Sequence, residues 1–208
     1  MGGVFMSLRR KRRLQLAAAV LAVLTAASCV YLQSAQKSLA GKLIRLHVVA
    51  NSDSAADQAR KLQVRDAVLA CAQQALADAE DPRAALAEAL PALQQAAQER
   101  LRALGDGSPV TVTLCKERFP TRAYETFSLP AGVYESLRVR IGSAQGHNWW
   151  CVVFPALCMS AGMDELELAA QAAGMTQGEV RLITGEDAGF ELKFRTLELL
   201  QKLKALLF

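Results

Sequence analysis

Leu43-Ile44-Arg45-Leu46-His47-Val48-Val49-Ala50 runs into Asn51-Ser52-Asp53-Ser54, and the reading of this stretch decides the fold. Large apolar and β-branched side chains in imperfect alternation predict a strand covered on one face and partly on the other. The polar quartet ends it. Ser54, with Asp57 three residues on, has the form of a capping box, with a carboxylate near the positive end of the helix dipole. A helix is therefore expected over residues 55–79, with Leu62, Leu69 and Leu76 on one stripe and Val64, Val68 and Cys71 widening it. Asp57, Lys61 and Arg65 fall at i, i+4 spacing on another face. Asp81-Pro82 opens a second helix as N-cap and N1. Pro91 lies within its stripe of Leu86, Leu90, Leu93, Ala97, Leu101 and Leu104, and should kink or split it.

Working further along, Val110-Thr111-Val112-Thr113-Leu114 alternates cleanly and predicts a strand. Two or three more are expected, near residues 122–128, 134–141 and 148–154. Leu137, Val139 and Ile141 alternate with Arg138 and Arg140, so the strand over 134–141 should be solvated on one face. Short helices are expected over 164–173 and, amphipathic and longer, over 190–208. Strand, two helices, several strands and a closing helix give an α+β fold, with a mainly antiparallel sheet packed by helices.

Toward the N-terminus, Arg9, Arg10, Lys11, Arg12 and Arg13 precede a largely apolar run over residues 14–32. A cationic segment followed by an apolar one is the pattern of an export signal or signal anchor. The run approaches the roughly 20 residues a helix needs to span hydrocarbon, and the positive-inside rule places residues 33–208 outside the cytoplasm. Ala26, Ala27 and Ser28 offer small side chains to a signal peptidase, and Cys29 raises lipidation, although Ala26 stands where such a site prefers Leu. The expected organisation is 1–32 as signal peptide or anchor, 33–42 as a polar linker, and 43–208 as one extracytoplasmic domain. The formal charge is +4. With the cationic cluster set aside the remainder is close to neutral, which argues against nucleic-acid binding.

Chemistry-bearing residues concentrate in 45–66 and 119–158. No Cys-x-x-Cys, His-Glu-x-x-His, glycine-rich phosphate loop or Gly-x-Ser-x-Gly occurs, so no metal, cofactor, small-molecule substrate or catalytic constellation is expected. The enzyme alternative is a cysteine hydrolase, acting on cell wall, that pairs Cys151 with His147 or His47. Four residues along one strand do not aim two side chains at one substrate without a bulge. The competing use of Cys151 is a disulfide with Cys158 across Pro155, permitted outside the cytoplasm. Trp149 and Trp150 should point to opposite faces of their strand, one of them available as an interface anchor beside Asn148. Arg45, His47, Asn51, Asp53, Asp57 and Arg65 are expected to form a polar patch at the strand–helix junction. Together with Asn148, Trp149 and Trp150 they make the candidate partner-binding set.

Two blocks resemble a known family. The first is residues 44–53, with Asp57-Gln58 and Lys61-Leu62-Gln63-Val64-Arg65-Asp66-Ala67-Val68. The second is Phe119-Pro120-Thr121, Leu129-Pro130-Ala131-Gly132, residues 134–139, Asn148-Trp149-Trp150-Cys151-Val152-Val153-Phe154-Pro155 and Leu157-Cys158. Both are similar to the stage II sporulation protein R family, as is Phe190-Glu191-Leu192-Lys193-Phe194. The resemblance implies an exported signalling protein of endospore formation. Such a protein is made in the forespore and delivered to the space between the forespore and mother-cell membranes. There it activates a membrane-embedded protease that processes an inactive sigma-factor precursor. It implies no catalytic residues.

Overall fold

In the computed structural model, residues 2–157 and 162–185 are described. An N-terminal helix, α1 (Gly2–Gly41), leads into strand β1 (Ile44–Val49). Helices α2 (Ala55–Leu76), α3 (Pro82–Glu88) and α4 (Leu90–Ala103) follow, then β2 (Val110–Phe119), β3 (Arg122–Ala123), β4 (Ser128–Leu129), β5 (Gly132–Ile141), β6 (Asn148–Phe154), α5 (Met163–Ala172) and α6 (Gln177–Thr184). The fold is α+β with a mainly antiparallel sheet, as the element order implied. Pro91 splits the second helix where expected, leaving α3 and α4 joined at Ala89. Asp81 caps α3 through its carboxylate, which accepts from the backbone N–H groups of Arg83 and Ala84.

The four main strands lie in the order β2-β5-β1-β6. β2 pairs antiparallel with β5, and β6 antiparallel with β1. The direct pairing of β5 with β6 that their short link suggested does not form. Instead β1 inserts between them, parallel to β5 with Leu46 opposite Leu137. The three-helix excursion between β1 and β2 gives the chain the length a parallel pairing requires. The strand expected over 122–128 is a small hairpin, β3 with β4, separate from the main sheet.

Alternation sorts β1 between two cores. Ile44, Leu46 and Val48 face the helices, packing with Val64, Val68, Leu93, Leu101, Leu137, Val139, Cys151 and Val153. Complete burial of each such Leu or Val stabilises by about 1.5–3 kcal/mol. The opposite face was expected to be only partly covered. It carries a second core, in which Leu39, Leu43, Phe119, Tyr134 and Val152 meet Phe127 and Leu129 of the hairpin and Leu166, Val180 and Ile183 of α5 and α6.

Residues 33–41, expected as linker, are instead the last turns of α1, whose apolar stripe docks on the domain. Leu39 is fully buried, and Gln36 packs so tightly on β5 that a Cβ at Gly132 would lie 2.0 Å from its Nε2. Glu179 of α6 clamps the junction, accepting from Ser38 Oγ at 2.7 Å and Lys42 Nζ at 2.6 Å. Burial opposes ionisation of Glu179. The Lys42 ammonium, the Thr176 backbone N–H and the Ser38 hydroxyl outweigh it and hold the carboxyl down at about 2. A carboxyl depressed in the folded state contributes stability that is present above its unfolded value and lost as pH falls through the folded one. Between about pH 4.5 and pH 2 the clamp is therefore expected to surrender at most roughly 3 kcal/mol. Thermal unfolding across that range, compared with Glu179→Gln, reads this directly: the variant should lack the acid-dependent loss.

Before the docked turns, α1 has a different character. Leu14, Leu16, Val20, Leu21, Val23 and Leu24 are exposed, and the helix over Arg10–Gly41 contains a stretch long and apolar enough to cross a membrane. The expected helix over 190–208 lies outside the described residues.

Candidate functional site

The turn after β5 folds back onto the β1–α2 junction, and a dense set of hydrogen bonds joins them. Gly146 N–H donates to Ala50 O at 2.9 Å, and Gln145 N–H to Asn51 O. Ser143 donates from its backbone N–H to Asn51 Oδ1 and from its hydroxyl to Asn51 O. Asn51 in turn donates through Nδ2 to Asp57 Oδ2 at 3.0 Å, which also accepts from Ser52 Oγ at 2.6 Å. The other Asp57 oxygen meets Arg60 Nη1 at 3.0 Å. Ser52, Asn51 and Arg60 thus favour the charged form and hold the Asp57 carboxyl below the usual carboxylate range. The Ser54 hydroxyl accepts from Asp57 N–H, so it caps α2 as expected. The Asp57 carboxylate serves the junction instead of completing the box.

The turn requires its glycines. Gly142 has φ +56°, and a Cβ at Gly146 would come within 2.2 Å of the Ser52 carbonyl oxygen. Because that neighbour is backbone, Gly146→Ala is expected to pry the turn from the junction. The variant should lose stability by about 2 kcal/mol or more, and hydrogen exchange should show lost protection in residues 143–149.

The same clamp carries the start of β6. His147 donates its N–H to Asp53 Oδ1 at 2.6 Å, and its ring Nδ1 pairs with the same carboxylate. Lys61 was expected in an i, i+4 charge ladder with Asp57 and Arg65, yet it is buried and donates to His147 O at 3.0 Å. Burial lowers its pKa. The i, i+4 ladder is accordingly absent: Asp57 pairs with Arg60, and Arg65 with Asp66 at 2.7 Å. Arg65 also lies over the Trp149 ring, its guanidinium carbon 4.4 Å from the centroid. That ring is braced yet 37% exposed. Asn51, Asp53, Asp57, Arg65, Asn148 and Trp149 therefore gather at one end of the sheet, the end opposite the docked turns of α1.

Arg45, His47 and Trp150 separate from that patch onto the other sheet face. Arg45 is completely buried. Its guanidinium is sandwiched 4.1 Å from the Phe119 centroid and 5.0 Å from that of Tyr134, and Nη2 donates to Tyr124 Oη at 2.7 Å. Burial lifts the Tyr134 hydroxyl to about 12. His47 pairs through Nδ1 with Glu117 Oε1 at 2.9 Å and through Nε2 with Asn148 Oδ1 at 2.8 Å, its ring stacked 3.9 Å from that of Trp150. Trp150 and Trp149 thus point to opposite faces. Asn148 links the two clusters through His47. Glu117, Ser136 and Tyr124 were not foreseen as members. Glu117 becomes visible only once β5 is known to lie between β2 and β1, since it bonds Ser136 on β5 as well as His47 on β1.

Cys151 is buried on the helix-covered face, opposite Leu46, whereas His47 lies on the other. His147 is turned out to Asp53. That arrangement lacks the shared approach a cysteine–histidine pair needs. The expected Cys151–Cys158 bridge involves Cys158, which lies outside the described residues. No group of three or more His, Cys, Asp or Glu side chains placed to hold a metal occurs among the described residues.

These features define an α+β domain continuous with an apolar N-terminal helix, its most elaborate polar construction at the far end of the sheet. The family model described as Stage II sporulation protein R matches residues 40–164, and the chain belongs to that family. The match contains both halves of the clamp and the whole His47 cluster. Stage II sporulation protein R of Bacillus subtilis (strain 168) is 36% identical over 135 residues, which is 61% of this chain and 60% of the relative. The chain thus spans about three-fifths of the length of that curated relative. No solved structure matches. Membership gives the chain a role in sporulation, and its apolar helix is compatible with export or membrane anchoring.

Proposed function

We propose that the chain is an exported signalling ligand, placed in the forespore intermembrane space, that activates a membrane-embedded protease of the mother cell and so leads to processing of an inactive sigma-factor precursor. The observation that carries this reading is Trp149. It is a large aromatic left exposed, braced by the Arg65 guanidinium and following directly in sequence on the clamped turn, at the end of the sheet remote from the apolar helix. Rigid, pre-organised aromatics with polar neighbours are the usual anchors of protein interfaces, because little entropy is lost on docking them. Asn148, Asp53 and Arg65 form the polar surround in this reading. Arg45, His47, Trp150, Asn51 and Asp57 support it from beneath. A ligand for a receptor needs such a surface and no catalytic group.

The test is reconstitution. The full chain, exported beside the candidate protease and its precursor substrate, is expected to trigger precursor cleavage, and Asn148→Ala to weaken it while the domain stays folded, at a stability cost of about 1–3 kcal/mol because His47 Nε2 loses its partner. Wild-type-like cleavage by variants at Asn148, Trp149 and Arg65 together would exclude this surface.

A further inference from the structure

A cleft of about 1250 Å³ opens at the opposite end of the domain, between the last turns of α1, the α2–α3 loop and the paired ends of β2 and β5. Its position follows from α1. The helix is continuous to Gly41, so Lys37 stands five residues beyond the apolar run that ends at Leu32, a rise of about 7 Å. Headgroup and interfacial layers add roughly 5–8 Å on each side of the hydrocarbon. If α1 remains in the membrane, the cleft mouth lies at headgroup level.

The lining is chemically two-sided. Lys42 is engaged by Glu179, and Arg83 by Glu135 at 3.3 Å. Lys37, Lys116 and Arg118 are exposed, and among the described residues none of them has an ion-pair partner. Arg118 stands opposite Val133 in the β2–β5 register, and Val133 is 49% exposed, one of few large apolar side chains so placed on the domain. Across the cleft, Glu80 and Asp81 are exposed carboxylates, Asp81 with one oxygen on the α3 N-terminus.

We propose that this cleft binds the headgroup of an ethanolamine phospholipid. The phosphate meets Lys37, Lys116 and Arg118, the primary ammonium meets Glu80 and Asp81, and the first acyl methylenes lie on Val133. A purely anionic headgroup satisfies the cations but meets the carboxylates unfavourably. A choline headgroup carries no N–H to give them. Such a contact fixes the tilt of the domain on its helix and so the direction in which Trp149 points. The inference rests on the function proposed above, with α1 retained as a membrane anchor.

Two measurements on the full chain separate the parts. In mild detergent, native mass spectrometry with added phosphatidylethanolamine, phosphatidylglycerol or phosphatidylcholine is expected to show the first retained about tenfold more tightly than the others. The combined Lys37→Gln, Lys116→Gln, Arg118→Gln chain should bind all three within about twofold of one another. Glu80→Gln, which leaves the cations in place, should raise phosphatidylglycerol toward phosphatidylethanolamine. Equal retention of the three lipids by the wild type, or a preference that survives the triple substitution, overturns the proposal. So does displacement of the lipid by millimolar inorganic phosphate, which would mark a free-phosphate site. Flotation with phosphatidylethanolamine/phosphatidylcholine vesicles is expected to carry the full chain upward. Failure to float would overturn the anchored reading while the detergent preference still judges the cleft.

Discussion

Trp149→Ala is expected to weaken activation of the partner protease on the order of a hundredfold, while the domain keeps its fold. An aromatic anchor at the centre of an interface is commonly worth 2–4 kcal/mol on truncation, and each 1.4 kcal/mol is a factor of ten. The stability cost should be small, since the ring is already partly in water and its contact with the Arg65 guanidinium lies at the surface. An exposed cation–π contact contributes about 0.5–1 kcal/mol. Leu168→Ala supplies the comparison: this side chain is 68% exposed on α5, away from the clamped end, and its removal should leave activation unchanged. The dose of exported chain needed for half-maximal precursor cleavage, with thermal unfolding alongside, checks the prediction. Equal effects of the two variants would mean that Trp149 is ordinary surface.

The second large effect concerns stability. Arg45→Ala is expected to destabilise the domain by about 3 kcal/mol or more, because it empties a fully enclosed site between Phe119 and Tyr134 and the surroundings collapse only in part. For a domain of this size that lowers the melting temperature by roughly 10 °C. Arg45→Met should cost far less, within about 1.5 kcal/mol. The reason lies in the hydrogen bonding: Nε and Nη1 of Arg45 are buried without a partner, so the charge contributes less than the volume does. Replacing an incompletely satisfied buried ion by an apolar side chain of similar size is often neutral or stabilising. If Met proved as damaging as Ala, the guanidinium itself would be the stabilising element, through the two rings and Tyr124.

Arg45 also illustrates what could be read in advance. Its place on a strand was clear from Leu43 to Ala50, as was the alternation that sets it opposite Leu46. A charged residue on the second face of a strand is by default read as solvated, and that default failed here. The second face is roofed by the end of α1, which adjoins β1 in sequence, and by the β3–β4 hairpin, α5 and α6, which come from distant parts of the chain. The turns at 33–41 were missed for a related reason. Gln33, Gln36, Lys37 and Lys42 give them a polar composition, and the stripe of Gln36, Leu39 and Leu43 gains meaning only with Gly132 and Phe119 as its floor.

Periodicity likewise identified Leu137, Val139 and Ile141 as an inward row, but a period of two does not name a strand's neighbours. The insertion of β1 between β5 and β6 was therefore hidden, and with it the meeting of His47 with Glu117 and Asn148. At the clamped end the legible part was larger. Asn51, Asp53, Asp57, Asn148 and Trp149 were all singled out by residue type, and the structure brings them together. Gly142 and Gly146 were legible as turn residues, though not their hold on the β1–α2 junction, and Lys61 escaped because a buried lysine bonded to a carbonyl looks in sequence like any surface lysine on a helix.

Whether this chain is the extracytoplasmic signal that switches on the protease is tested most directly by precursor processing, measured in cells that make the protease and the precursor and export the full chain. Processing should appear with the exported wild type, fail when the cationic and apolar N-terminal segment is disabled so that the chain stays inside, and fall on the order of a hundredfold with Trp149→Ala. Processing that proceeds equally without export, or no processing despite a folded and exported chain, would contradict that role.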